Sequence, residues 1–447
     1  MRRIVLGVLG LGNVGAGCLR LLADNRPAIE ARLGASVEVK RVLVRDPARE
    51  RDVAVQPGLL TTDAAAILND PEIDVIVELI GGVEPARTYI LAALRAGKHV
   101  VSANKAVLAE RGAEIFATAE AKGLGVFFEG AVAGGIPLLR SLREGLASDR
   151  IDRVCGILNG TSNFILDAMG RRGLTYADAL KMAQEAGFAE ADPSLDVSGG
   201  DAAHKLTLLA QVAFGWRIDP RNIPTEGIES ITALDMRAAA DLGYVIKSLA
   251  IAERTGDIDA PNNNTGPQLQ VRVQPTLVPK DHVLAGVHGP YNACLVRSQG
   301  LGRSLYYGRG AGMMPTGVAV LSDIIEVARL LLTRLKGSPL SVVAIQSSPA
   351  TAASLDNLEH ENYLRIDAPN RPGVLGRITT CLGAHGVSIK YMHQDGAPGC
   401  DHVPLIMLTE PAREAATLAA LAELRASPDL PHAPHRLRIL SDTEDDT

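Results

Sequence analysis

From residue 1 to about 135, short apolar runs alternate with longer stretches in which apolar residues recur at helical spacing. That rhythm predicts parallel strands joined by crossover helices, the sequence form of a doubly wound α/β sheet. The expected strands are 4–9, 37–44, 75–79, 99–102 and 125–128. From 136 to 315 the pattern changes to helices at 176–186, 202–214 and 236–242, mixed with alternating strands such as 268–275, which predicts a second, α+β domain. The stretch 256–267, with three successive Asn beside Gly and Pro, reads as a surface turn.

Apolar positions at helical spacing return at about 316–336, a helix expected to complete the first domain. Residues 337–358 lack periodicity, are rich in Ser, Pro and Ala, and read as a linker. After it the segments 363–367, 373–385, 387–393, 403–408, 411–426 and 435–440 give strand, helix, strand, strand, helix, strand, the order of a ferredoxin-like module over 359–447. The expected domains are therefore a Rossmann-type 1–135, a catalytic and dimerisation domain 136–315, and the C-terminal module.

Composition narrows the class. With 47% hydrophobic and 21% charged residues and a net charge of -6, the chain reads as an ordinary globular protein for which nucleic acid is a poor partner. The five cysteines are odd in number and form no C-x-x-C pair, which favours a reducing compartment and gives zinc no familiar spacing. The basic and apolar start is broken by Gly7, Gly10, Gly12 and Gly15, so it reads as a buried first strand and not as a signal peptide; no run reaches membrane-spanning length. A cytoplasmic protein is expected.

Gly10-Leu11-Gly12-Asn13-Val14-Gly15 follows the first predicted strand and opens a helical pattern. Glycines there permit a tight turn and close approach of backbone to a pyrophosphate, while the helix N-terminus offers N–H groups to negative charge. The bland reading of such a motif is a tight strand-to-helix turn; its position and context favour dinucleotide binding. At the end of the second strand, Arg45 suits a 2′-phosphate and Asp46 a 2′-hydroxyl, which favours NADP and leaves NAD open.

Glu190, Asp192, Asp196 and Asp201 precede Lys205 within sixteen positions. Asp201 and Lys205 share one face of any helix that starts near Asp201. An acid at a helix start with an ordinary i,i+4 ion pair is the competing account. Alcohol oxidation with a nicotinamide needs a group that takes the hydroxyl proton, a task lysine performs where its proton affinity is lowered. Glu190 or Asp196 suits a substrate ammonium group. Lys105, after the strand at 99–102, is expected at the sheet edge where doubly wound folds bind ligands, the alternative being a solvated loop lysine.

Taken together, Gly10 to Gly15, Val77-Glu78-Leu79-Ile80-Gly81-Gly82, Ala103-Asn104-Lys105, Glu129 with Gly134-Gly135-Ile136-Pro137, the run Gly156 to Asn163 and the acidic block ending at Lys205 resemble the homoserine dehydrogenases over nearly the whole chain. The resemblance implies NAD(P)-dependent interconversion of L-homoserine and L-aspartate 4-semialdehyde, within threonine, methionine and isoleucine biosynthesis. It implies Lys205 as proton donor and acceptor, Asp201 at the reacting centre, Glu190 on the substrate amino group, Lys105 facing cofactor and substrate, and Asp196 as a further polar contact. It also implies a monovalent cation such as sodium on Glu129 and the carbonyls of Val132, Gly134 and Ile136, for which a glutamate-capped turn is the plain alternative. Tyr307 to Gly312, with Gly310, resembles the segment that closes over the nicotinamide. The C-terminal module resembles an ACT domain, whose turn at Asn370, Gly373 and Leu375 implies a threonine effector; oligomerisation alone is the other reading. A homodimer or homotetramer is expected from the family.

Two other classes compete. An acyl-forming semialdehyde dehydrogenase needs a nucleophilic cysteine, and Cys155, in an apolar strand-like run, reads as a buried structural one. A cofactor-sensing regulator with an amino-acid-binding tail leaves Asp201 and Lys205 unexplained. A fused aspartate kinase is not expected, because the chain opens on the dinucleotide domain.

Overall fold

A computed structural model describes residues 2–255, 268–333, 351–394, 396, 400–428 and 430–441. The expected turn at 256–267 and most of the expected linker 337–358 lie outside them. The chain forms two compact units, one of residues 1–160, 201–223 and 291–351, the other of 161–200, 224–290 and 352–447. Each contains stretches distant in sequence, so the segment 136–315 is shared between them.

The first unit is built on a six-stranded sheet: β1 (Arg2–Leu9), β2 (Ala35–Leu43), β3 (Leu60–Thr61), β4 (Val75–Glu78), β5 (His99–Ser102) and β6 (Val126–Phe127). All neighbours pair in parallel, in the order β3-β2-β1-β4-β5-β6. This is the Rossmann order, which places a crevice where the chain reverses direction between β1 and β4. The strands read as near-continuous apolar runs because helices cover both faces.

Ile4, Leu6, Val8, Val37, Val75, Val77, Val101 and Phe127 form one core with Cys18 and Leu22 of the helix Asn13–Asp24. Val320, Ile324, Val327 and Ala328 of the helix Met313–Thr333 join the same core. The two helices cross closely. A Cβ on Gly17 would lie 2.2 Å from the Met313 carbonyl oxygen, and one on Gly317 3.0 Å from the Cys18 nitrogen. The unit also holds the antiparallel strands Ile151–Ile157, Tyr291–Ser298 and Gly302–Arg309, and the helix Gly200–Phe214.

In the second unit the strands Tyr244–Thr255 and Gln268–Pro279 pair antiparallel through twelve residues each. The C-terminal module is the strand Asn362–Pro369, helix Val374–Ala384, strands Ile389–Gln394 and His402–Thr409, helix Glu414–Ala426 and strand His435–Ile439. Asn362–Pro369 sits between His435–Ile439 and His402–Thr409, as a ferredoxin-like sheet requires. Arg438 and Ile439 then pair in parallel with Thr276 and Leu277. The buried Glu414 carboxylate accepts hydrogen bonds from Arg436 at 2.9 and 3.0 Å and from Arg438. Tyr363, fully buried, donates to Asp235 at 2.9 Å, and Arg365 Nε donates to the same carboxylate at 2.8 Å.

Candidate active site

The strand β1 ends at Leu9, and Gly10 turns the chain at φ +100, donating its N–H to the Leu43 carbonyl of β2 at 3.0 Å. A Cβ on Gly10 would press to 2.7 Å from the Leu79 carbonyl oxygen, so the tight turn demands glycine. Gly12 caps the helix Asn13–Asp24 with no side-chain acceptor, and nothing lies within 4 Å of where its Cβ would be. Leu11 and Val14 are half-buried, Gly12 and Asn13 exposed, Gly15 buried. An uncapped N-terminus beside open space fits a pyrophosphate. Arg45 is exposed just past the end of β2, while Asp46 accepts the N–H of Ala48 at 2.9 Å.

At the neighbouring strand ends a buried acid shapes the crevice. Glu78, closing β4, accepts Ser102 Oγ–H at 2.7 Å and the Ile80 N–H at 2.8 Å. Burial pushes its pKa up, against these bonds. Asn104 donates to the Gly82 carbonyl at 2.7 Å and caps the helix Lys105–Lys122 by accepting the Val107 N–H. Lys105 is thereby set at the first helical position, above the C-terminal end of β5.

The lysines and the acid meet there. Asp201 stands in the first turn of Gly200–Phe214, 4% exposed, with Lys205 one turn later at 7%. Lys205 Nζ lies 2.7 Å from Asp201 Oδ2 and donates to the Leu158 carbonyl at 2.7 Å. Lys105 Nζ approaches Asp201 Oδ1 at 3.0 Å, and Asn159 Nδ2 donates to Oδ2 at 2.8 Å. Burial alone would push the Asp201 carboxyl up; the ammoniums of Lys205 and Lys105 outweigh it and hold the group well below the usual carboxylate range. The arrangement is a permanent buried anion that orients two lysines, one deeply enclosed and one partly open to solvent.

Glu190 and Asp196 lie in the other compact unit. Glu190 is exposed and its carbonyl accepts Gln184 Nε2 at 3.3 Å; Asp196, in the short helix Ser194–Val197, is half-buried and its carbonyl accepts Ser162 Oγ–H at 2.9 Å. Gly310 is buried, packed on the side chain of Asn292. Cys155 is 2% exposed within Ile151–Ile157, as a structural cysteine would be.

Glu129, Val132, Gly134 and Ile136 are gathered in one buried turn of the first unit. The Glu129 carboxylate accepts the N–H groups of Leu139 at 3.0 Å and Arg140 at 2.8 Å, and its own N–H donates to Asp323 at 2.8 Å. Burial pushes its pKa up to about 7. The donors that the resemblance implies for a hard cation are all oxygens, but both Glu129 carboxylate oxygens already accept backbone N–H groups and the Ile136 carbonyl accepts that of Leu138 at 2.7 Å. In the C-terminal module, Gly373 caps Val374–Ala384 at φ +87 without a side-chain acceptor, Leu375 is half-buried, and Asn370 donates its N–H to the Asp401 carbonyl at 2.8 Å.

Asn159, Glu78 and Ser102 were not assigned roles by sequence reasoning, although their segments were singled out. The usable signal is positional: each is a polar residue at or just beyond the C-terminal end of an apolar strand, and for Glu78 and Ser102 that strand belongs to the parallel sheet, whose C-terminal edge is where such folds hold ligands.

Residues 10–129 match the family model for the homoserine dehydrogenase NAD binding domain, residues 137–325 that for homoserine dehydrogenase, and residues 362–426 that for the ACT domain. The chain is 41% identical to homoserine dehydrogenases of Synechocystis sp., over 98% of this chain and 100% of that one, and of Pseudomonas aeruginosa, over 98% and 99%. The crystal structure of a homoserine dehydrogenase from Thiobacillus denitrificans superposes with a TM-score of 0.90 at 42% identity, covering 98% of this chain and 99% of that one. A hyperthermophilic archaeal homoserine dehydrogenase solved in complex with NADPH is similar at a TM-score of 0.60 and 25% identity, covering 72% and 97%.

Proposed function

The chain belongs to the homoserine dehydrogenase family of NAD(P)-dependent oxidoreductases, and from that premise we propose that Lys205, Asp201 and Lys105 carry the interconversion of L-homoserine and L-aspartate 4-semialdehyde. The observation that carries this reading is the buried Asp201 carboxylate clasped by both lysines at the C-terminal edge of a dinucleotide-binding sheet.

A bound nicotinamide supplies the hydride acceptor in oxidation and the donor in reduction. As hydride leaves the carbinol carbon, Lys205 Nζ takes the hydroxyl proton; in reduction it returns that proton to the new alkoxide. Asp201 stays ionised throughout and holds Nζ in place, with Asn159 fixing the carboxylate. Lys105 adds positive charge beside the reacting oxygen and the cofactor. The carboxylates of Glu190 and Asp196 have the chemistry for a charge-assisted bond to a substrate ammonium and for a further polar contact.

Gly10, Leu11, Gly12, Asn13, Val14 and Gly15 would cradle the pyrophosphate of a bound cofactor, Arg45 would take a 2′-phosphate and so favour NADP over NAD, and Gly310 would face the nicotinamide. Glu129 with the carbonyls of Val132, Gly134 and Ile136 would hold sodium or a similar monovalent ion, supporting the turn. The ACT domain supports regulation by a small amino acid; threonine at Asn370, Gly373 and Leu375 is the proposed effector, acting on an enzyme of threonine, methionine and isoleucine biosynthesis that works in the cytoplasm as a homodimer or homotetramer. Among the described residues no helix is long and apolar enough to cross a membrane.

The test is the initial rate of NADP-linked and NAD-linked oxidation of L-homoserine at alkaline pH, with and without threonine. Faster NADP-linked turnover and a threonine-sensitive rate are the expected results. No turnover with either cofactor, from folded protein, would replace this reading with that of a cofactor-binding regulator.

A further inference from the structure

The C-terminal module assembles a second set of reactive side chains, none of them used above. Cys381 lies in the last turn of the helix Val374–Ala384, and His385 is its C-cap. They are four positions apart and share one face. Glu423 reaches them from the helix Glu414–Ala426. Their donor atoms all lie within 4.8 Å of one another. The His385 Nε2 to Glu423 Oε2 distance is 2.8 Å, the Cys381 thiol also bonds to Glu423, and its sulfur is 3.7 Å from the Ala420 carbonyl oxygen.

We propose that Cys381, His385 and Glu423 form a three-ligand site for one borderline divalent cation, zinc above all. Thiolate sulfur, imidazole nitrogen and carboxylate oxygen together are a donor set for zinc, cobalt(II) or copper and a poor one for magnesium or calcium. Metal-to-ligand distances of about 2.0–2.3 Å put the donors of a tetrahedral ion roughly 3.3–3.7 Å apart. The cluster brackets that spacing, and Glu423, with 62% of its side chain exposed, has room to adjust. Protons now bridge the three groups where the ion would sit. On binding, the Cys381 S–H bond breaks, its proton goes to solvent, and sulfur donates to the metal, so affinity rises with pH.

Three protein ligands leave a fourth position. Beside the cluster is a cavity of about 540 Å³, lined by Cys381, Glu423, Arg377, Leu424 and Leu430 among others. It accommodates a metal-bound water or a small anionic ligand near Arg377. Because its ligands come from two helices, the ion ties them together, and binding stabilises the folded module.

Cobalt(II) titration of the chelator-stripped full-length protein tests this. The expected result is one equivalent bound, with intense four-coordinate d–d absorption and a sulfur-to-cobalt charge-transfer band, both abolished by zinc. Cys381→Ser should remove the charge-transfer band. His385→Gln and Glu423→Gln should each weaken binding by about 10-fold or more. Cys400→Ser, at the exposed cysteine, should change nothing, and basal dehydrogenase activity should survive in all four variants. A missing sulfur band, or one that survives Cys381→Ser, overturns the proposal. Should Cys381→Ser fail to fold, the half-buried His385→Gln decides: unaltered cobalt affinity there overturns it equally.

Discussion

Replacing Lys205 with Met removes the ammonium while keeping most of the side-chain volume. Two effects should separate. The structural one is modest: the buried Leu158 carbonyl loses its 2.7 Å donor, which costs about 1–3 kcal/mol of stability, while Asp201 retains Lys105 at 3.0 Å and Asn159 at 2.8 Å. The chemical one is large, because a positioned proton-transfer group contributes about 10²–10⁴-fold, or roughly 3–5.5 kcal/mol of barrier. That contribution arises in the transition state, so kcat should fall by this factor while KM for homoserine stays within a few-fold. Lys205→Arg sharpens the comparison, since a guanidinium preserves the charge beside Asp201 but does not give up its proton. Both variants should therefore be slow, and arginine should recover stability without recovering turnover. The assay is steady-state homoserine oxidation, with thermal unfolding to show that each variant is folded. A Lys205→Met enzyme with kcat within five-fold of the parent, or an arginine variant with restored turnover, would refute the assignment of Lys205 as the proton carrier.

Gly10→Ala combines a backbone at φ +100 with a Cβ pressed to 2.7 Å from the Leu79 carbonyl oxygen; about 1–2 kcal/mol of strain is expected, with cofactor affinity down roughly 10-fold by fluorescence titration. Arg45→Ala should raise the Kd for NADPH by about 10–100-fold, the worth of a lost charged hydrogen bond, and leave that for NADH unchanged. For acid stability, burial raises the Glu414 carboxyl pKa, but Arg436 and Arg438 overcome this and bring it down to about 2, against an ordinary 4.5. The depressed value means that the stabilisation, about 3 kcal/mol, is fully present above pH 4.5 and is lost as pH falls toward 2. Glu414→Gln should remove that part of the acid dependence in urea unfolding measured from pH 5 to 2.5.

The local part of this fold was legible because periodicity is a local property. The five expected strands of the N-terminal sheet fall within two residues of the observed ones, and the strand-helix order of the C-terminal module is as expected. The helix carrying Asp201 and Lys205 begins at Gly200, so their shared face followed from spacing alone. What spacing does not encode is which distant strand end a side chain meets. Asn159 donates to a carboxylate 42 positions away, and the Glu129 N–H to one 194 positions away. Those partners are set by sheet order and by the return of the helix Met313–Thr333. The two-residue strand β3 was missed because so short a run has no period to detect.

That returning helix also bears on how the chain is made. The sheet strands have all left the ribosome by Phe127, but the helix that covers Val8, Val37 and Val75 is synthesised about 200 residues later, roughly 10–40 s at ordinary elongation rates. During that interval the nascent sheet carries an apolar face covered only in part, by the helix Asn13–Asp24, a natural substrate for chaperones. A transcript truncated before Met313 should yield an aggregating product, even though it encodes every strand of the nucleotide-binding sheet.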